Sequence, residues 1–165
     1  MARDLKNTFI KAYDLYGDAI YRHCYFRVFS KARAEDITQE AFMKMWVYIS
    51  EGNQVQNIRA LLYKIATNLI IDESRKKKEE HLDALLENDQ ITEPSYAGHK
   101  DIETQAIVSS IMEHIKELPD DERQLLIMRY VDDLDPKEIA EILGITANNV
   151  SVKLHRAVKL LKEFI

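Results

Sequence analysis

DPKEIAEILGITANNVSVKLHRAVKLLK, residues 135–162, is the stretch that decides the fold. Its pattern predicts two amphipathic helices joined by a tight turn. Asp135 and Pro136 form a helix start, because aspartate can accept a first-turn amide and proline sits where no intrahelical donor is needed. Gly144 supplies the left-handed residue that ends this helix, and Thr146 caps the next one. The whole pattern indicates a helix-turn-helix.

The second of these helices is the part predicted to contact DNA. Asparagine and serine near a helix N-terminus can reach base edges, while lysine and arginine can hold phosphates. The alternative is an antiparallel helix pair with a solvated basic face, but the spacing and the polar helix start favour DNA binding. The outward positions are Ala147, Asn148, Asn149, Ser151, Val152, Lys153 and Arg156.

Charge is unevenly distributed along the chain. The total of −5 is unusual for a DNA-binding protein. Residues 1–78 carry a net charge of +5, residues 79–122 carry −11 and residues 123–165 carry +1. The negative total therefore comes from the acidic middle, while the two ends are neutral to basic. The total net charge does not argue against DNA binding by the ends.

The composition argues against several classes of protein. A single cysteine, Cys24, excludes an internal disulfide and a multi-cysteine zinc site, and its apolar neighbours favour a buried thiol. No run is apolar enough to cross a membrane and the N-terminus does not read as a signal peptide, so we expect a cytoplasmic protein without membrane insertion. The motifs of phosphate loops, zinc proteases and nucleophile elbows are missing from the sequence. We therefore expect no enzyme, no metal and no cofactor.

Three amphipathic helices are predicted in residues 1–78. The first covers residues 4–29, with a local break at Gly17 left open, and the second covers residues 34–49. A polar loop follows, and Asn57 caps a third helix that runs to about residue 78. The second helix carries a polar side away from its apolar stripe, and periodicity alone assigns this side to solvent. Its residues include Asp36, Gln39 and Glu40.

The third helix has an outer side that allows two interpretations. Cations at a helix C-terminus complement the macrodipole, and from the residues alone this explanation is favoured. A basic stripe interleaved with a tyrosine also suits phosphates and stacked, unpaired bases. The residues on or near this side are Arg59, Tyr63, Lys64, Thr67, Asn68, Asp72 and Arg75, followed by Lys76, Lys77 and Lys78.

Residues 79–100 lose the helical periodicity and gain acidic side chains. Pro94, Ser95 and Gly98 would break a helix there, so we predict a flexible linker. Residues 101–165 then form a second domain of four helices that ends in the helix-turn-helix. The predicted fold class is all-α, with two small helical domains joined by an acidic flexible linker.

Taken together, the two ends of the chain resemble a known family. The stretches that carry the resemblance are AEDITQEAFMKMW (34–46), IRALLYKIATNLIIDESRKKK (58–78) and LPDDERQLLIMRYVDDLDPKEIAEILGITANNVSVKLHRAVKLL (118–161). They are similar, in this order, to regions two and four of the extracytoplasmic-function (ECF) class of bacterial RNA polymerase sigma factors. The resemblance implies binding to core RNA polymerase and to promoter DNA, and leaves open whether an anti-sigma factor holds the protein inactive.

The resemblance also implies roles for the ambiguous surfaces. The polar side of the second helix, Asp36, Gln39 and Glu40, would dock on the polymerase clamp. The loop and third helix would open the minus-ten element and capture an unpaired base, while the last helix would read the minus-thirty-five element. The acidic linker would lie in a basic channel of the polymerase. The minus-ten positions are Asn53, Gln54, Val55, Gln56, Arg59, Tyr63, Asn68, Asp72, Arg75, Lys76 and Lys77.

Two other functions remain open at this point. A transcriptional regulator could bind duplex DNA as a dimer through the same helix-turn-helix, and would then occupy paired half-sites. A helical interaction module would show no salt-dependent DNA binding. Many relatives in the resembled family carry more basic residues where this chain has Asn149, Ser151 and Val152, so the sequence preference cannot be carried over.

Overall fold

The computed structural model describes residues 2–80 and 102–164, with side-chain surroundings for residues 2–76 and 110–164. The chain divides into two compact units, Met1–Thr92 and Glu93–Ile165. The described part of each unit is helical and contains no strand, which confirms the predicted all-α fold. The linker predicted for residues 79–100 lies outside the described residues except for its first two positions. Among the helices that are described, none has the length and apolar character needed to cross a membrane.

The described part of the first unit contains three long helices. They are α1 (Ala2–Val28), α2 (Lys31–Ser50) and α3 (Ile58–Glu80). Helix α1 continues through Gly17 without a break. Helix α2 begins three residues earlier than predicted, because the Ser30 hydroxyl accepts the Arg33 amide at 3.4 Å and caps the helix there.

The core of this unit is formed by the apolar stripes of all three helices. Ile20 and Cys24 of α1 are fully buried, as are Met45 of α2 and Leu62 of α3. The buried thiol predicted for Cys24 is therefore confirmed. An ion pair between the Arg33 guanidinium and the Glu73 carboxylate links the start of α2 to the last turns of α3.

Tyr63 is the main correction to the predicted surface. The sequence placed it on the outer side of α3 as a stacking platform, but its side chain is only 1% exposed. The ring lies edge-on against the buried His23 imidazole, with 5.3 Å between centroids and an interplanar angle of 87°. Thr67, one turn further along α3, is also buried, with its Oγ1 3.4 Å from His23 Nε2. Tyr63 and Thr67 therefore belong to the α1–α3 interface, and a base cannot stack on Tyr63.

Four helices and one π-helical turn form the described part of the second unit. They are α4 (Ile102–Glu117), α5 (Asp120–Leu126), the π turn (Ile127–Val131), α6 (Pro136–Leu143) and α7 (Ala147–Phe164). In the π turn the Asp132 amide donates to the Ile127 carbonyl at 2.9 Å, which is one residue further than an α-helical bond. The core includes Ile115, Leu118, Leu126 and Ala157.

Arg123 fastens the turn between α4 and α5. Its guanidinium donates to the backbone carbonyls of Ile115 (3.2 Å), Lys116 (2.6 Å) and Leu118 (3.0 Å), at the C-terminal end of α4 and just beyond it. Burial lowers the pKa of Arg123, and the Asp120 carboxylate at 3.5 Å opposes that effect. An arginine pKa starts so far above neutrality that the group keeps its charge.

The helix-turn-helix has the caps that the sequence predicted. The Asp135 carboxylate accepts the Glu138 amide at 2.8 Å, and the Thr146 hydroxyl accepts the Asn149 amide at 3.1 Å. Gly144 has φ +69° and ends α6, where the Ile145 amide closes back on the Ala140 carbonyl at 3.1 Å. Local hydrogen bonds thereby fix both ends of α6 and the start of α7.

We expect Gly17→Ala and Gly144→Ala to change stability in opposite directions. A Cβ at Gly17 would meet nothing within 4 Å in a helix interior, so alanine should add about 0.5–1 kcal/mol to the unfolding free energy of its unit. A Cβ at Gly144 also has space, but its left-handed backbone makes alanine cost about 1–2 kcal/mol. Urea denaturation followed by circular dichroism measures both. Equal effects would contradict the difference in backbone conformation.

We expect Tyr63→Ala and Asn68→Ala, five residues apart on α3, to differ sharply in stability. Removal of the buried ring should cost about 3–5 kcal/mol, because a cavity remains beside His23. The Asn68→Ala change, at an exposed position, should lower the unfolding free energy by no more than about 0.5 kcal/mol. The same denaturation experiment compares them, and a Tyr63→Ala protein as stable as Asn68→Ala would show that the ring is not in the core.

Candidate nucleic-acid interface

The outer side of α2 forms the first candidate surface. The predicted residues Asp36, Gln39 and Glu40 are all exposed. Sequence reasoning missed two apolar side chains that continue the same side, Met43 (59% exposed) and Val47 (50% exposed). From Asp36 they follow at i+7 and i+11, which returns to nearly the same direction on a helix. These five residues are called the docking face below.

The apolar part of the docking face could have been found from the sequence. Residues 43 and 47 are out of phase with the buried set of Ile37, Ala41 and Met45, so they cannot share its core. A contiguous apolar patch rimmed by polar residues is typical of a surface that a partner covers.

The loop between α2 and α3 is the second candidate surface. The Asn53 side-chain amide donates to the Tyr48 carbonyl at 2.9 Å, and the Asn57 carbonyl oxygen accepts the Ala60 amide at 3.0 Å. These bonds anchor the loop at both ends. Between them Gln54 and Gln56 are exposed, while Val55 is half-buried. Two amide side chains are thus presented to solvent by a loop whose ends are fixed.

The exposed side of α3 is the third candidate surface. Asn68, Asp72, Arg75 and Lys76 are exposed as predicted, whereas the side chain of Lys77 lies outside the described residues. Asn68 and Arg75 are seven residues apart and therefore point in nearly the same direction. Lys64, one turn before Asn68, is also exposed on this side. Lys64, Asn68 and Arg75 are called the α3 stripe below.

Arg59 does not belong to the α3 stripe. It lies nine residues before Asn68, which places the two side chains roughly 180° apart around the helix. Its guanidinium carbon is 5.8 Å from the centroid of the Tyr63 ring, a cation–π distance. Arg59 therefore sits at the loop end of α3, where it covers the α1–α3 interface.

The outer side of α7 is the fourth candidate surface. Val150, Leu154 and Ala157 are buried, so the other side of the helix faces solvent. Ala147 is half-buried at the first turn. The remaining predicted residues are all exposed: Asn148, Asn149, Ser151, Val152, Lys153 and Arg156.

These surfaces carry polar and charged groups suited to binding. Within the described residues, no group of three or more histidine, cysteine or acidic side chains is arranged to hold a metal ion. The acids of the docking face suit a basic partner, while amides and cations on α3 and α7 suit base edges and phosphates.

Two family models match this chain, one at each end. The model of Sigma-70 region 2 matches residues 12–80, and the model of Sigma-70, region 4, matches residues 109–161. The first match contains the docking face, the loop and the α3 stripe, and the second contains the helix-turn-helix.

Curated relatives match along nearly the whole chain. ECF RNA polymerase sigma factor SigW of Bacillus subtilis is 34% identical, covering 96% of this chain and 89% of the relative. ECF RNA polymerase sigma factor SigM of the same organism is 29% identical, covering 94% and 93%.

A solved structure supports the fold. The sigma factor RpoE of Bartonella quintana, solved in complex with the anti-sigma factor NepR, matches with a TM-score of 0.78 at 21% identity, covering 95% of this chain and 96% of that one. Since two regions of one family occur in order on two helical units, and a curated member is more than 30% identical over most of its length, this protein belongs to the ECF class of RNA polymerase sigma factors, which act in transcription initiation.

Proposed function

We propose that this sigma factor divides promoter recognition among the four surfaces. The docking face binds core RNA polymerase, the loop and the α3 stripe open the minus-ten element, and α7 reads the minus-thirty-five element. The observation that carries the proposal is the exposure of Asn68 and Arg75 on one side of α3, with the other side of that helix buried. In this proposal residues 1–78, 79–100 and 101–165 act as docking and opening domain, linker and upstream-reading domain.

Docking is supported by the mixed chemistry of α2. Acidic side chains attract a basic partner and set its orientation. Met43 and Val47 add apolar area that water-exposed acids cannot supply, and burial of such area is the main favourable term in association. A polymerase element with basic and apolar side chains would therefore cover the whole docking face.

Opening is supported by two separate groups of side chains at α3. Gln54 and Gln56 on the anchored loop can hydrogen-bond an extruded base, and Arg59 lies at the same end of the helix. Along the outer side, Lys64 and Arg75 would hold the phosphates of the separated strand. Because the Tyr63 ring is buried, stacking on it contributes nothing, and hydrogen bonds must offset the few kcal/mol that base extrusion costs.

The proposal extends to partners and location. The sigma factor acts without catalysis of its own, in the cytoplasm where polymerase and promoter DNA meet. An anti-sigma factor is a further proposed partner, since the structurally similar RpoE was solved with one. The alternative of a dimeric regulator would leave the docking face and the α3 stripe without a role.

We expect Asp36→Arg with Gln39→Ala to abolish binding to core polymerase. The double change replaces an attractive charge by a repulsive one at the docking face. Both positions are exposed, so the unfolding free energy should change by no more than about 0.5 kcal/mol per site. Pull-down with core enzyme measures binding, and circular dichroism checks the fold.

The control for this experiment is Asp18→Arg with Asn7→Ala. It makes the same change of charge at two exposed positions of α1 and should leave pull-down unchanged. Equal pull-down by both double variants and by the unmodified protein would remove the docking assignment.

We expect Asn68→Ala with Arg75→Ala to block strand opening while polymerase still binds. Asn68 can hydrogen-bond an unpaired base and Arg75 can hold a phosphate of the separated strand, so the double change removes contacts that help to offset the few kcal/mol that base extrusion costs. Permanganate reactivity of thymines in the polymerase-bound promoter reports opening, and a pre-melted promoter bubble should restore transcription.

A matched pair on α1 serves as the control for opening. Asn7→Ala with Arg22→Ala removes the same two residue types from exposed positions of the same unit and should open the promoter normally. Normal thymine reactivity in the Asn68 and Arg75 variant would refute the assignment of the α3 stripe.

A further inference from the structure

One apolar side chain stands in the middle of the polar outer side of α7. Val152 is 43% exposed. Asn148 and Arg156 lie one turn before and after it, roughly 6 Å away along the axis in each direction. Ser151 and Lys153 lie roughly 100° to either side of it around the helix. Val152 therefore occupies the centre line of the surface that would enter a DNA groove.

The position of α7 is fixed firmly enough for a short side chain to matter. Thr146 caps its first turn, and Val150, Leu154 and Ala157 bury its inner side. The first turns of a recognition helix are those that approach the base edges. Val152 is the sixth residue of α7 and lies in its second turn. Lysine and arginine can reach phosphates from the flanks, but a valine can contact only what lies directly below it.

The chemistry of the major groove leaves one partner for such a side chain. Base edges there present hydrogen-bond donors, hydrogen-bond acceptors and the C5-methyl group of thymine. A valine has no group that can hydrogen-bond, so against any other base edge it would remove a polar atom from water without compensation. Against a thymine methyl, two apolar groups leave water together.

We propose that Val152 recognises the C5-methyl group of one thymine in the minus-thirty-five element. The proposal rests on the proposed function of α7 and deepens it by naming a chemical feature of the DNA. It also separates the predicted reading residues into two classes. Asn148, Val152 and Arg156 face the base edges along one line, while Ser151 and Lys153 face the walls of the groove.

The test removes the methyl group without changing the base pairing. Each thymine of the minus-thirty-five element, on either strand, is replaced singly by 2′-deoxyuridine in a promoter identified by run-off transcription. Binding of the holoenzyme, assembled from this protein and core polymerase, is measured by fluorescence anisotropy. We expect one replacement to weaken binding by about fourfold, the value for losing one buried methyl-sized group, and the others to have little effect.

The variant Val152→Ala assigns that effect to one side chain. It should bind the thymine promoter about as weakly as the unmodified protein binds the deoxyuridine promoter, and should no longer distinguish the two. At the sensitive position a cytosine should weaken binding, and 5-methylcytosine should recover part of the loss. Ile10→Ala, at a comparably exposed apolar residue of α1, should keep the full deoxyuridine effect.

Three outcomes overturn the proposal. If the holoenzyme binds the promoter specifically but no deoxyuridine replacement matters, methyl recognition is wrong and the proposed function stands. If Val152→Ala remains as sensitive to the replacement as the unmodified protein, another residue reads the methyl group. If the holoenzyme does not prefer the promoter to random duplex DNA, both the proposed function and this proposal fail.

Discussion

The constraint on which the rest of the structure depends is the unpaired amide at the start of a helix. Ser30, Asn57, Asp135 and Thr146 each accept a first-turn amide, at distances between 2.8 and 3.4 Å. Such a bond sets the residue at which a helix begins, and hence its direction of approach. A helix extended past its cap would pair that amide internally, but its new first-turn amides would lack this side-chain acceptor and the helix would extend into the turn that positions its neighbour. Four short polar side chains thus fix where α2, α3, α6 and α7 begin.

The sequence predicted the features that depend on local chemistry. The helix-turn-helix could be predicted from the sequence because Asp135, Gly144 and Thr146 start or end its helices through contacts with residues only a few positions away. Whether a residue at the edge of an apolar stripe faces the core or solvent is harder to predict, because it depends on which residues of other helices pack against it. Tyr63 lies at the edge of the apolar stripe of α3, so periodicity allows it to face either the core or solvent. Its burial is decided by His23 of α1, forty residues earlier in the chain. Periodicity within one helix contains no information about that partner.

In the proposed function, helix α3 serves stability and recognition at once. Tyr63, Ala66 and Thr67 are buried against the other helices, while Lys64, Asn68 and Arg75 point outward. The separation between these roles is narrow, since Lys64 follows Tyr63 and Asn68 follows Thr67 directly. If the outer side binds a separated strand as proposed, a rigid interior holds its side chains in place beforehand, which lowers the entropic cost of binding.

The π turn between α5 and α6 contains one residue more than an α-helical turn would need. A turn closed by i to i−5 bonding holds one residue more than an α-helical turn, and here it leaves Tyr130 67% exposed while Ile127 and Met128 stay in the core. A chain shorter by one residue could close the same turn with ordinary α-helical bonds. The connection to the helix-turn-helix can therefore absorb the loss of a single residue during evolution, and the caps downstream would keep α6 and α7 unchanged.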